Sequence, residues 1–224
     1  MNILLMANMS NPRFHSVWKF LASSNHQVDV TEDHREMDLT KYDLGVSWYY
    51  RKMVGQKALD TFRHGVINLH PGRLPDYRGA FTNVFPIACG TDAGVSMQLM
   101  DAGLDTGPMI AERVVKVLPT DTGETLWYRL VEEQYQFLVD EWPRVESEIL
   151  AGTLKVYPQR NGTFDEPWKM QDAFDLDNLD QYDEFGEAYD VLRARTHSQY
   201  PGCYVIRDGR KIGVRVQLED LGPA

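Results

Sequence analysis

The sequence predicts an α/β domain with a largely parallel sheet, followed by a small C-terminal helix and a β-hairpin. Two observations predict this fold class. Short apolar or alternating segments recur over residues 3–117 with helical patterns among them, and two further alternating segments flank an Asp-Gly turn near the end of the chain. Strands that alternate with helices are typical of a mostly parallel sheet with helices on its faces.

The first part of the predicted sheet lies near the start of the chain. An apolar run covers residues 3–7, and apolar side chains at helical spacing follow over residues 14–21. Apolar residues alternate with polar ones around residues 28–30 and again over residues 44–48, which predicts two more short strands. Only a polar stretch, residues 31–42, separates these two strands.

Three more strands are predicted over residues 65–69, 95–99 and 109–117. A Pro- and Gly-rich segment, residues 70–79, leaves the first of them and leads into a short helix near residues 82–89. In a parallel sheet, ligands collect beyond the carboxyl ends of the strands. We therefore expect the loop after the first of these strands and the loop between the other two to lie at the same edge.

A long helix is predicted to begin at Asp121, because Glu124 has the spacing of a capping-box partner. Its apolar stripe continues to Ile149, and Pro143 is expected to kink it. This helix would complete the main domain.

Three parts of the chain are expected. Residues 1–150 form the main domain, residues 151–184 form a polar surface linker packed on it, and residues 185–224 form a C-terminal helix and a β-hairpin. The hairpin is expected to turn at Asp208-Gly209. Because so short a hairpin is marginal alone, it should pack on the domain or on another subunit.

Composition excludes several classes of protein. The chain has 224 residues, of which 43% are hydrophobic and 11% aromatic, as in a globular domain. A net charge of -10 disfavours nucleic-acid binding, which requires the neutralisation of many phosphates. No apolar run is long enough to span a bilayer, and the first residues lack the pattern of a signal peptide. We therefore expect a cytoplasmic protein without membrane contact.

The cysteines and histidines do not predict a metal site. Cys89 and Cys203 lack CxxC or His-rich neighbours, and no histidine has HExxH-type spacing. We interpret both cysteines as reduced, small apolar residues.

The strongest chemical signal is the segment NLHPG of residues 68–72, followed by Asp105 in the loop DAGLDTG. Alternate residues of a strand point to one face, so Asn68 and His70 project together where the strand ends. Acyl transfer needs donors for the oxygen that becomes anionic and a group that relays a proton from the attacking amine. Asn68 and His70 offer these groups, and Asp105 would orient the imidazole.

A structural interpretation of the same residues is also open. Asn68 and His70 can cap the end of a strand, and Asp105 can begin a turn with Thr106 and Gly107. Each motif alone fits that interpretation as well as a catalytic one. The two motifs together favour catalysis, because both loops are expected at the edge where ligands bind.

The stretches NLHPGRLPDYRG and DAGLDTGPMI resemble the signature of folate-dependent formyltransferases. The resemblance covers residues 43–150, and it implies a Rossmann-like fold, 10-formyltetrahydrofolate as the formyl donor, and a catalytic trio at Asn68, His70 and Asp105. The family usually has Ser-Leu where this chain has Gly72-Arg73. That departure leaves the trio whole.

The resemblance also implies which residues bind the folate, largely through backbone hydrogen bonds. They lie after the third strand and in the loop that carries Asp105: Tyr49, Tyr50, Arg51, Lys52, Met53, Met100, Asp101 and Leu104. For the aromatic residues of this set, ordinary packing at a strand end is an equally good interpretation.

The tail of the chain indicates the acceptor. Residues 192–204, LRARTHSQYPGCY, are similar to a segment of sugar N-formyltransferases, which act on dTDP-linked or other nucleotide-linked 4-amino-4,6-dideoxysugars. Purine-synthesis members of the family use a Gly-rich phosphate loop after the first strand, but residues 8–12 contain no glycine. Members that formylate initiator tRNA are longer and need basic surface, which a net charge of -10 does not favour.

A nucleotide-linked acceptor carries a diphosphate, which arginine binds well. We predict acceptor contacts from the loop after residue 70, namely Arg73, Tyr77, Arg78 and Gly79. The basic residues of this loop can equally be solvated surface charges.

The resemblance also implies a homodimer formed through the tail, and other functions stay open. The alternatives are formylation of another small amine, hydrolysis of 10-formyltetrahydrofolate to formate, and a folate- or nucleotide-binding module without turnover.

Overall fold

The computed structural model describes residues 1–23, 25–164 and 166–223, and it contains one six-stranded mixed sheet. The strands are β1 (Asn2–Ala7), β2 (Gln27–Thr31), β3 (Leu44–Trp48), β4 (Val66–His70), β5 (Ala93–Leu99) and β6 (Met109–Val115). Their order is β2-β1-β3-β4-β5-β6. The first four strands are parallel, and β5 and β6 are antiparallel to their neighbours. The α/β class and the mostly parallel sheet are confirmed.

Helices cover the sheet and continue into the C-terminal part. They are α1 (Phe14–Ser23), α2 (Gln56–Leu59), α3 (Phe85–Ala88), α4 (Gly123–Leu150), α5 (Met170–Asp175) and α6 (Phe185–Ala194). The hydrophobic pattern did not predict α2 and α5, because four and six residues are too few to show a helical period. None of the described helices combines the length and the apolar character that a membrane span needs.

The N-cap of α4 is Thr122, so the prediction of a start at Asp121 was wrong. The Thr122 hydroxyl accepts from the Thr125 N–H (3.3 Å), and the Thr125 hydroxyl accepts from the Thr122 N–H (2.8 Å). This reciprocal pair is the true capping box. The carboxylate of Glu124, the predicted partner, instead accepts from the Ser198 N–H (3.0 Å) in the C-terminal part.

The two faces of the sheet have different environments, because side chains alternate along each strand. On β4, Ile67 and Leu69 belong to the main hydrophobic core, to which α1 and α4 contribute. Val66 belongs to a second, smaller apolar cluster. Asn68 and His70 follow Val66 at two-residue spacing, so they share its face and lie opposite the main core.

The direction of β5 contradicts the expectation that both unusual loops leave the same edge. In the antiparallel register, Ile67 of β4 lies opposite Leu99 at the end of β5. The loop after β5 therefore starts beside the amino end of β4, where the Met100 N–H donates to the Val66 carbonyl (2.8 Å). An alternating pattern predicts a strand but does not encode its direction.

The C-terminal hairpin and its turn are confirmed. It consists of β7 (Tyr204–Arg207) and β8 (Arg210–Gly213). Asp208 and Gly209 have φ values of 50° and 74°. Positive φ at both positions is what a type I′ turn requires.

A buried ion pair joins the C-terminal part to the linker, and its guanidinium also contacts the main domain. The Arg195 guanidinium donates to both carboxylate oxygens of Asp177, at 2.6 and 3.1 Å. It also lies over the rings of Phe81 and Phe174, at 5.5 and 5.3 Å from their centroids. Because Phe81 belongs to the loop after β4, the C-terminal part contacts that loop directly.

Candidate active site

The polar face of β4 and β5 forms the floor of the candidate site. Asn68 lies opposite Gln98, and His70 lies opposite Ser96. Residues paired in this way share one face of a sheet, so four polar side chains stand together. His70, Ser96 and Gln98 are only 5%, 0% and 1% exposed. Buried polar groups need hydrogen-bond partners, and the loops above this face supply them.

The loop between β5 and β6 folds back over this floor and brings Asp105 to it. Asp105 Oδ1 accepts from Asn68 Nδ2 and from Gln98 Nε2, each at 3.3 Å. Asp105 Oδ2 accepts from the Gly79 N–H at 2.9 Å and lies 3.6 Å from His70 Nδ1. The structure therefore brings the three predicted residues together, although their loops leave the sheet at opposite edges.

Both ring nitrogens of His70 face hydrogen-bond acceptors. Nε2 lies 2.6 Å from the Tyr77 carbonyl, which can only accept, so Nε2 carries a proton. Nδ1 faces the Asp105 carboxylate, with Oδ2 at 3.6 Å. The imidazole therefore lies between a carbonyl oxygen and a carboxylate.

Ser96 and Gly72 hold the loop after β4 against His70. The Ser96 hydroxyl donates to the Gly72 carbonyl (2.8 Å) and accepts from the Leu74 N–H (3.1 Å). This contact brings the backbone of Gly72 so close to the imidazole that a Cβ at residue 72 would lie 2.6 Å from His70 Nε2.

Three side chains of the site were not predicted from the sequence. Ser96 and Gln98 alternate with Val95 and Met97. This pattern identified a strand, but it did not show that the two polar side chains would lie on the same face of the sheet as Asn68 and His70. Gln159 lies in the polar stretch after α4, which carries no motif. Its Nε2 donates to the carbonyls of Asp105 and Gly107 at 2.8 and 2.9 Å. No local sequence signal could have identified it.

The aromatic residues predicted to bind folate follow β3. The ring of Tyr49 packs edge-on against Trp127, with centroids 6.5 Å apart, and its hydroxyl is buried with no hydrogen-bond partner among the described residues. Burial raises the pKa of the Tyr49 hydroxyl. The Tyr50 hydroxyl accepts from the His34 N–H (2.9 Å). Both rings are thus engaged within the protein.

The other predicted folate-binding residues are mostly at the surface. Lys52 pairs with Asp33 (2.8 Å), and Asp101 Oδ1 accepts from the Gly103 N–H (3.0 Å) and the Thr106 hydroxyl (2.7 Å). Met100 is half-buried, and four side chains are exposed: Arg51, Lys52, Met53 and Leu104.

Two of the predicted acceptor-binding residues serve the site through their backbone. The Tyr77 side chain is 2% exposed and its hydroxyl contacts Thr91, so it offers no surface to a ligand. The Tyr77 carbonyl lies 2.6 Å from His70 Nε2, and a contact of Tyr77 with the acceptor stays a prediction. Gly79, at φ 87°, approaches the backbone of Trp168 so closely that a Cβ would lie 2.3 Å from the Trp168 carbonyl oxygen.

Arg73 and Arg78 are the two cations of this loop. In each guanidinium, Nε is buried and has no hydrogen-bond partner in the part of the chain that the structure describes. Arg160, by contrast, pairs with Asp76 of the same loop. Unlike Arg160, neither Arg73 nor Arg78 forms an ion pair with another described residue.

The chemistry of this site is that of polar catalysis by amide, imidazole and carboxylate groups. Asn68 keeps a second amide N–H after it donates to Asp105, and a neutral imidazole offers one N–H donor and one acceptor nitrogen. Such donors stabilise an oxyanion, and the carboxylate can take a proton. Among the described residues, no group of three or more His, Cys, Asp or Glu side chains is arranged to hold a metal ion.

The chain matches two protein-family models. Residues 6–141 match the formyl transferase model, and residues 167–220 match the N-formyltransferase dimerization C-terminal domain.

Two curated relatives show how far the similarity extends. The dTDP-4-amino-4,6-dideoxyglucose formyltransferase of Mycobacterium bovis is 30% identical over 199 residues, which cover 88% of this chain and 82% of the relative. The methionyl-tRNA formyltransferase of Burkholderia multivorans is 40% identical over 138 residues, which cover 61% of this chain and 41% of the relative. The chain thus spans less than half the length of the tRNA-directed relative.

Solved structures share the fold over nearly the whole chain. A 4-N formyltransferase from Francisella tularensis has a TM-score of 0.84 at 22% identity, with 98% of this chain and 99% of that chain covered. A formyltransferase from Anoxybacillus kamchatkensis, solved with UDP-4,6-dideoxy-4-formamido-L-AltNAc and tetrahydrofolate, has a TM-score of 0.69 at 24% identity, with 85% and 97% covered. With the family match over residues 6–141 and the Mycobacterium bovis relative, these findings establish that the chain belongs to the formyl transferase family.

Proposed function

We propose that this protein transfers the formyl group of 10-formyltetrahydrofolate to the primary amine of a nucleotide-linked amino sugar, such as a dTDP-linked 4-amino-4,6-dideoxysugar. The proposal is carried by the placement of Asp105 beside both Asn68 (3.3 Å) and His70 (3.6 Å) on one face of the sheet. The name of the Mycobacterium bovis relative and the ligand of the Anoxybacillus kamchatkensis structure support the class of acceptor.

In the proposed reaction, the neutral amine attacks the formyl carbon, and a C–N bond forms while the carbonyl oxygen becomes anionic. The free N–H of Asn68 stabilises this oxyanion together with a ring N–H of His70, which exchanges its present acceptor for the formyl oxygen, and Asp105 accepts the proton that the amine loses. The bond between the formyl carbon and N10 of the folate then breaks, and N10 takes up a proton. The products are the sugar formamide and tetrahydrofolate.

Two exposed apolar side chains support a folate site beside these residues. Met53 follows β3, Leu104 immediately precedes Asp105, and they are 58% and 43% exposed. Exposed apolar side chains beside polar groups are typical of a small-molecule site. We propose that the segments 49–53 and 100–104, which carry them, line the pterin pocket.

The loop after β1 argues against a ribotide acceptor. Its N–H groups are engaged within the protein, because the Met9 N–H donates to Glu32 (3.0 Å) and the Ser10 N–H donates to Asn8 Oδ1 (3.1 Å). Glu32 also places a carboxylate where a phosphate would lie. An anion-binding loop instead presents free N–H groups.

The proposed function is tested with a panel of amines. The protein is incubated with 10-formyltetrahydrofolate and dTDP-, UDP- or GDP-linked amino sugars, and mass spectrometry detects the gain of one formyl group. We expect formylation of at least one 4-amino-4,6-dideoxysugar. Formate release without an amine would indicate a hydrolase, and ligand binding without any product would indicate a binding module.

Arg78 is proposed to bind the diphosphate of the acceptor. We expect Arg78→Gln to raise the KM for the nucleotide-linked sugar by about tenfold or more, because a hydrogen bond to a charged group contributes about 1.5–3 kcal/mol. Steady-state kinetics measure this change. Arg63→Gln, at an exposed arginine before β4, is the control and should leave KM unchanged. An equal KM in both variants would assign Arg78 to the solvated surface.

We also propose a homodimer formed through residues 167–220, which match the dimerization domain. Large apolar side chains of this part are exposed, with Phe185 at 83%, Ile206 at 45% and Ile212 at 47%. Light scattering on a size-exclusion column should give twice the chain mass of 25.7 kDa. A monomeric mass would contradict this proposal.

A further inference from the structure

We infer that Gln159 is a positioning residue, whose side-chain amide holds the backbone of Asp105 in the orientation that formyl transfer needs. The inference rests on the proposed role of Asp105. Gln159 lies between the two family models, which end at residue 141 and begin at residue 167.

Asp105 needs external support because its backbone is strained. Its φ of 54° is in the left-handed region, which is unfavourable for a residue with a side chain. Gln159 Nε2 donates to two carbonyls of this loop, that of Asp105 (2.8 Å) and that of Gly107 (2.9 Å), and it also lies 3.4 Å from Gln98 Oε1 on β5. These bonds join the two carbonyls on either side of Thr106, so they brace the turn that presents the Asp105 carboxylate.

The remaining hydrogen bonds of the loop do not replace this brace. The Asp101 carboxylate accepts from Gly103 and Thr106, which are members of the same loop. The Asp105 carboxylate also accepts from Asn68 and Gly79, but these contacts depend on the orientation of the Asp105 backbone. Gln159 is thus a brace from a distant part of the chain.

Gln159 is itself held from both sides. Tyr157 and Met109 exchange two backbone hydrogen bonds, at 2.7 and 2.9 Å, which fix the chain just before Gln159 to β6. After Gln159, Arg160 pairs with Asp76 and the Thr163 N–H donates to Asp76 Oδ1 (2.6 Å). Residues 157–163, the strap, therefore run from β6 to the loop after β4 across the candidate site. The strap contacts both loops that carry the proposed chemistry.

A space-filling role for Gln159 predicts a different outcome from a donor role. Glutamate and methionine have nearly the same shape as glutamine, but neither can donate a hydrogen bond from the same position. Glutamate would also place a carboxylate against two carbonyl oxygens. If only volume matters, both variants keep wild-type activity. If the hydrogen bonds donated by Gln159 matter, both variants lose activity.

The experiment compares Gln159→Glu and Gln159→Met with the wild-type protein. We expect kcat to fall by about tenfold or more in both variants, on the scale of losing two hydrogen bonds, while KM for the sugar changes little. Gln136→Met is the matched control, since the Gln136 amide donates only to Asp140 (2.8 Å) on the exposed surface of α4. Wild-type kcat in Gln159→Glu would overturn the inference.

A double-mutant cycle tests whether Gln159 acts through Asp105. In an Asp105→Asn background, Gln159→Glu should add little further loss of kcat, because residues that act as one unit are not additive. Fully additive losses would overturn the inference, since a general destabilisation adds to any other defect.

A readout without substrate separates this inference from the proposed function. Hydrogen exchange of peptides that cover residues 99–109 should be faster in both Gln159 variants than in the wild-type protein and Gln136→Met. If no amino sugar is formylated, the proposed function fails, while the exchange data still report on the loop. Unchanged exchange would overturn the inference whatever the acceptor.

Discussion

Asn68→Ala and His70→Ala are each expected to lower the turnover of formyl transfer by about two orders of magnitude or more, on the scale of losing one oxyanion donor. Asn68 directs one amide proton to Asp105 at 3.3 Å and keeps the other for the formyl oxygen. His70 is 5% exposed and lies between the Tyr77 carbonyl and Asp105. Its replacement by alanine therefore removes the side chain that contacts both groups. Steady-state kinetics on the acceptor identified by the panel measure both effects.

The control for these variants is His15→Ala, which removes an exposed imidazole from α1. It should leave turnover unchanged. Thermal unfolding of each variant shows whether the fold persists. If both Asn68→Ala and His70→Ala are folded and turn over at the wild-type rate, these residues do not form the reacting centre.

Gly72→Ala is expected to lower turnover by about tenfold to a hundredfold. A Cβ at residue 72 would lie 2.6 Å from His70 Nε2, 2.7 Å from the Tyr77 carbonyl oxygen and 2.9 Å from Thr82 Cγ2. Two of these contacts involve the hydrogen bond that orients the imidazole, so relief of the overlap must move His70 or Tyr77. Overpacking of this kind costs about 1–3 kcal/mol, and a displacement of about 1 Å of a reacting group can cost a hundredfold in rate.

Gly55→Ala is the matched control, because a Cβ there has no neighbour within 4 Å and the backbone φ is -73°. It should change neither turnover nor unfolding temperature. Gly72→Ser introduces the residue that related formyltransferases usually have, and it meets the same overlap through its Cβ. A fully active Gly72→Ser protein would show that the loop after β4 can move without disturbing His70.

The alternation of apolar and polar residues along the chain predicts where a strand lies but not its direction in the sheet. The alternation of Val95 and Met97 with Ser96 and Gln98 predicted β5, because half of a strand at a core must be apolar. The same pattern is compatible with either strand direction. The antiparallel pairing of β5 with β4 therefore appears only in the structure, and it overturned the expectation of a shared edge for the two loops.

The sequence by itself determined the fold class, the hairpin turn and the residue types at the reacting centre. These depend on neighbours within a few positions: the alternation along β4, the Asp208-Gly209 pair, and the motif around Asn68 and His70. Only the tertiary structure decided that the Asp105 loop folds back over the sheet and that Gln159 braces it. Gln159 is 54 residues from Asp105 along the chain. The physical reason is that a contact between distant segments depends on strand direction and on the path of the loops, which local patterns do not contain.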